Sequence, residues 1–90
     1  MDKAQLRSWL KARKTYYRLY KAATAFKLKT GDDRPLSVLD SASNNAADSV
    51  GPESHPEYWS IALGSIHDAI EANCWKSDLF PWFAKHGFVI

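Results

Sequence analysis

Apolar residues recur along this chain at steps of three and four, the spacing of a helix with one buried side. The longest run extends from Asp2 to Lys29. With each residue placed 100° beyond the last, Leu6, Trp9, Leu10, Tyr16, Tyr17, Tyr20 and Ala23 share one broad face. Lys3, Arg7, Lys11, Lys14, Arg18 and Lys21 form a stripe on the opposite face, at steps of 4, 4, 3, 4 and 3. Asp2 is placed to cap the helix, with Gln5 three residues on to complete a capping box. Gly31 is a natural stop, and Pro35 follows soon after. Such a helix would be about 40 Å long at 1.5 Å per residue, a span long enough to admit an internal break.

The segment Gly31-Asp32-Asp33-Arg34-Pro35 reads as a loop. Over residues 36–50, Leu36, Leu39, Ala42, Ser43, Ala46 and Val50 keep helical spacing, but the other positions are Ser, Asn and Asp, which are poor helix formers. The expectation is a short helix whose small side chains allow close packing, with a mobile linker as the alternative. Val50-Gly51-Pro52 breaks the chain again. Ser54 and Glu57 have the spacing of a capping box, with Pro56 in the first turn. The helix they would open runs to about Cys74, and Trp59, Ala62, Leu63, Ile66, Ala69, Ile70 and Cys74 form its apolar stripe. Ser77 is placed to cap a last helix, with Leu79, Phe80, Trp82 and Phe83 as its apolar side and Gly87 as its end. Phe88-Val89-Ile90 is an apolar tail. The predicted fold class is all-α: a single domain over residues 1–90, built as a small bundle of three to four helices with a long basic amphipathic N-terminal helix. Leu6, Leu10, Trp59, Leu63, Ile66 and Ile70 are the expected core.

Composition supports a folded domain. A chain of this length buries well over half of its unfolded surface, enough for one modest core. Hydrophobic residues make up 46% of it, including four Trp, four Tyr and four Phe, which argues against disorder. The single cysteine, Cys74, excludes an intramolecular disulfide and fits a reducing compartment. With no signal peptide and no apolar run of membrane-spanning length, the expected location is cytoplasmic.

Charge changes the picture more. Residues 1–30 hold nine Lys/Arg and one acid, a net +8, while residues 31–90 hold three Lys/Arg and nine acids, a net −6. Within the first helix, five like-charge pairs three or four residues apart oppose folding by roughly 1–2.5 kcal/mol in total at low salt. No acid between Lys3 and Lys29 offsets them, and Lys3 and Arg7 occupy the positive end of the helix dipole. A local rule broken without compensation is characteristic of a functional surface, although a solvated face that maintains solubility has the same pattern. Arg13 falls near the apolar side, where it could stack on a ring, pair with a carboxylate, snorkel at the core edge, or meet a partner.

Catalytic and metal-binding patterns are weak. His67, Glu71 and Cys74 stand at i, i+4 and i+7, but without a C-x-x-C or H-E-x-x-H motif. Cys74 lies on an apolar stripe, the setting of an inert thiol. His55 and His86 have no obvious chemical partners, and the glycines form no phosphate loop. The expectation is a non-enzyme with no metal and no cofactor, working as a monomer or homodimer. Its expected role is to dock on a larger protein or complex and regulate or inhibit it, through Arg7, Lys11, Arg13, Lys14, Tyr17, Arg18 and Lys21. Short helical chains of this kind are common among phage and mobile-element accessory proteins. The alternative is nucleic-acid binding through residues 3–21, largely independent of sequence because no helix-turn-helix is evident.

Overall fold

A computed structural model of the chain describes residues 1–73 and 79–88. Four helices account for most of them: α1 (Lys3–Thr30), α2 (Arg34–Val50), α3 (Tyr58–Asn73) and α4 (Leu79–Lys85). No strand occurs among the described residues, so the fold is all-α. Nor is any of these helices long and apolar enough to cross a membrane.

α1 ends where its terminal residues dictate. The Asp2 carboxylate accepts the Gln5 backbone N–H at 2.8 Å, and the Gln5 side chain accepts the Asp2 N–H at 3.0 Å. Together they satisfy two of the donors that a helix start leaves open. At the other end Gly31 adopts a left-handed φ of 78° and donates to the Lys27 carbonyl at 2.8 Å. The helix is unbroken over 28 residues. Its length of about 42 Å sets the 40 Å long dimension of the molecule.

The segment 34–50 is a helix rather than a linker. Asp32 organises the turn before it: its carboxylate accepts the Arg34 backbone N–H at 3.0 Å and pairs with the Arg34 guanidinium at 2.6 Å. This hydrogen bonding lowers the Asp32 pKa to about 2. Weak helix propensity in α2 is overridden by tertiary packing. Leu39, Ala42 and Ala46 are buried, and their small side chains let α2 pack closely on α3.

α3 departs from expectation at its start. The hydrogen bond there comes from His55, whose Nδ1 accepts the Glu57 backbone N–H at 3.1 Å, and not from a Ser54–Glu57 capping box. The 52–57 segment is already turned, with His55 N–H donating to the Pro52 carbonyl at 2.9 Å and Tyr58 N–H to the His55 carbonyl at 3.1 Å. The helix therefore begins too late for Ser54 to reach its first open N–H groups. The expected cap at Ser77 and the end of the α3 stripe at Cys74 lie outside the described residues. α4 closes in a Schellman turn. Phe88 N–H donates to the Phe83 carbonyl at 3.0 Å and Gly87 N–H to the Ala84 carbonyl at 3.1 Å. Gly87 takes a φ of 86°, and the Phe83 and Phe88 rings meet 6.0 Å apart across the turn.

The core joins Leu19 and Ala23 of α1, Leu39 and Ala46 of α2, Trp59, Ala62, Ile66 and Ile70 of α3, and Phe83 of α4. Trp59, Ile66 and Ile70 are buried as expected, while Leu63 is only half-buried. Leu6 and Leu10 are not core residues: they remain 44% and 49% exposed. They lie about a third of a turn or more round α1 from its buried residues Ala12, Tyr16, Leu19 and Ala23, on a side that the other helices leave open.

Candidate functional site

α1 carries two apolar stripes, and only one is buried. Ala12, Tyr16, Leu19 and Ala23, at steps of 4, 3 and 4, face the core. Leu6, Leu10, Arg13 and Tyr17 repeat the same steps about a third of a turn further round. They remain exposed, Tyr17 to 42%. This second stripe is about 16 Å long at 1.5 Å per residue. Arg13 neither pairs with a carboxylate nor lies buried. Its guanidinium carbon sits 4.8 Å from the Tyr17 ring centre and 5.9 Å from that of Trp9. Both separations are within cation–π range. Trp9 is tied down in turn, donating its indole N–H to the Glu53 carbonyl at 2.9 Å.

Beside the exposed stripe runs a border of cations. Lys3, Lys14 and Lys21 lie next to it around the helix, with Arg7 and Lys11 beyond. All five are exposed, and among the described residues no Lys or Arg of α1 forms an ion pair. The repulsion along the stripe is thus not relieved within the described fold. Arg18 behaves differently. Its guanidinium packs against Gly87, so that a Cβ built on that glycine would meet Arg18 Nη2 at 3.2 Å. The basic face is therefore not wholly turned away from the rest of the molecule: at Arg18 it touches the end of α4.

The remaining candidate chemistry is dispersed. His67 Nδ1 stands 3.5 Å from a Glu71 oxygen and 3.7 Å from an Asp68 oxygen, all on the outer side of α3. The ligand atoms of these three residues lie within 4.8 Å of one another, but a histidine with two neighbouring acids is an ordinary helix-surface cluster. Cys74, the other member of the predicted trio, lies outside the described residues. His55 Nδ1 accepts the backbone N–H of Glu57 just ahead of α3, and His86 packs its ring 4.3 Å from that of Trp82 with Nδ1 at 2.8 Å from the Trp82 carbonyl.

One feature had no signal in the local pattern. Tyr16, Tyr17 and Tyr20 of α1 meet Trp59 of α3 at a cleft that also receives Asp40 from α2 and Glu53 from the α2–α3 loop. Tyr16 is buried and donates its hydroxyl to the Leu39 carbonyl at 2.8 Å. Burial, with the Asp40 charge acting in the same direction, holds its phenol protonated well above the usual tyrosine range. The tyrosine spacing marks these rings as neighbours. The two carboxylates come from other elements of the chain and are joined to the rings only by the fold.

No protein-family model matches this chain, and neither a curated protein nor a solved structure matches it.

Proposed function

We propose that this chain is a small non-enzymatic binding protein that docks on an acidic surface of a larger protein or complex and regulates or inhibits it. The carrying observation is the exposed stripe Leu6–Leu10–Arg13–Tyr17 with its border of cations that form no ion pair among the described residues. Exposed apolar side chains gathered in a line favour contact with another surface. Aromatic and arginine side chains that are already held in place lose little conformational freedom on binding. The flanking charges select an acidic partner and speed the encounter with it. Arg7, Lys11, Arg13, Lys14, Tyr17 and Lys21 form this surface, and Arg18 contributes at its edge while packing on Gly87.

Nucleic-acid binding is the second reading, supported by the row of exposed cations from Lys3 to Lys21. It makes no use of Leu6 and Leu10, which a phosphate-tracking surface does not require. A salt titration of the purified complex separates the two. Docking on a protein predicts one preferred target and a shallow salt dependence. Phosphate tracking on duplex DNA predicts a log–log slope of roughly −0.9 per phosphate and similar affinity for unrelated sequences, and that result would overturn the proposal.

A further inference from the structure

The cleft between α1, α2 and the α2–α3 loop has the chemistry of a receptor for an organic cation. Its volume is about 520 Å³, within the roughly 300–1,000 Å³ typical of small-molecule sites. Tyr16 and Trp59 are nearly covered, at 3% and 2% exposure, while Tyr17 and Tyr20 stand more exposed. The rings do not form a flat stack. Tyr16 and Tyr17 lie 5.0 and 5.4 Å from Trp59 at tilts of 44° and 57°, and Tyr16 meets Tyr17 edge to face at 89°. Tyr20 completes the group, 6.2 Å from Tyr16 and 6.5 Å from Tyr17. Tyr16 and Tyr20 lie near-parallel at 28°. With Tyr16 and Trp59 covered, the ring surface open to a cation is that of Tyr17 and Tyr20, and the two buried rings form the floor of the cleft.

The charges at the same cleft agree with this. Asp40 and Glu53 both line it, and neither has an ion-pair partner among the described residues. They stand out on a protein whose neighbouring helix face is strongly basic. The Arg13 guanidinium on Tyr17 shows that a ring of this group already attracts a cation. We infer that the Tyr16–Tyr17–Tyr20–Trp59 cleft, with Asp40 and Glu53, binds an alkylammonium group, either of a free small molecule or of a modified lysine side chain. The aromatic faces favour a methylated, weakly hydrated cation over a bare ammonium, whose hydration is costlier to remove. This reading does not depend on docking through the exposed α1 stripe, of which only Tyr17 also lines the cleft.

The experiment is a titration of the full chain followed by amide-resonance NMR and tryptophan fluorescence. The probes are choline, a trimethyllysine peptide, and dimethylbutanol as the uncharged carbon isostere of choline. Saturable shifts at Tyr16, Tyr17, Tyr20 and Trp59 with a cation, and binding at least roughly tenfold weaker for the isostere, are expected. The Asp40→Asn, Glu53→Gln double variant keeps shape and exposure and should weaken choline binding without moving the melting temperature. Arg13→Gln removes a like charge beside the site and should strengthen it. Tighter binding of choline than of the peptide identifies a free small molecule as the ligand, and the reverse identifies a protein side chain; either supports the site. Equal binding of choline and its isostere, an unaffected double variant, or no response of these rings to either cation would overturn it.

Discussion

Leu19 and Leu10 offer a controlled comparison on one helix. Both are leucines in the interior of α1, yet Leu19 is 0% exposed and Leu10 is 49% exposed. Replacement by alanine keeps helix propensity high at both sites, so any difference reports burial. At Leu19 the deletion removes a fully packed side chain and leaves a cavity between α1 and the rest of the core, at about 2–5 kcal/mol. At Leu10 half the side chain is already in water and no enclosed cavity forms, which places the loss below about 1 kcal/mol. For a domain of this size each kcal/mol lowers the melting temperature by about 4–8 °C. Leu19→Ala should therefore melt at least about 8 °C below the parent, and Leu10→Ala within a few degrees of it. Thermal and urea unfolding followed by far-ultraviolet circular dichroism measure both. Equal losses at the two sites would refute the assignment of faces on α1, and with it the exposed stripe on which docking rests.

Other expectations follow from particular contacts. Trp59→Ala should cost about 3–5 kcal/mol by denaturant unfolding. Trp59→Phe should cost distinctly less, because it keeps most of the ring and removes an indole N–H with no hydrogen-bond partner among the described residues. Tyr16 predicts alkaline instability. Its folded pKa is raised by burial, so its contribution is fully present below about pH 10, the unfolded value, and is lost as pH rises from there. Tyr16→Phe should flatten the fall in melting temperature above that pH. At neutrality it should lose about 1 kcal/mol from the missing bond to the Leu39 carbonyl. Chelator should leave the melting temperature unchanged; a large drop would establish the His67, Asp68 and Glu71 group as a metal site.

The parts of this fold legible in sequence are those governed by nearby residues. The Asp2–Gln5 box and the Gly31 stop bound α1 through contacts within one turn, and the α3 stripe from Trp59 to Ile70 is periodic enough to identify its buried side. The failures are matters of tertiary geometry. Leu6 and Leu10 have the spacing of core residues, but which side of α1 is covered depends on the placement of α2 and α3, which no local pattern encodes. Ser54 does not cap α3 because the chain turns between Pro52 and Tyr58 before the helix begins. The candidate docking residues were visible as a charge stripe. The exception within it is Arg18, whose packing on Gly87 depends on where α4 ends. Asp40 and Glu53 carried no signal at all, since nothing near them in sequence indicates that they face tyrosines from another helix.

Docking through α1 is tested most directly by capture of a stoichiometric protein from lysate, with and without nuclease, by the parent and two variants. One variant replaces Leu6 and Leu10 by serine and keeps every charge; the other reverses Arg7, Lys11 and Lys14 to glutamate and spares the packed Arg18. Neither touches a buried side chain, so circular dichroism should show the parent fold in both. Protein docking on the combined apolar and basic surface predicts that the parent retains the partner and that both variants lose it. Capture seen only without nuclease, kept by the serine variant and lost on charge reversal, would show phosphate tracking and contradict protein docking. Equal capture by all three would show α1's exposed side to be a solvated face.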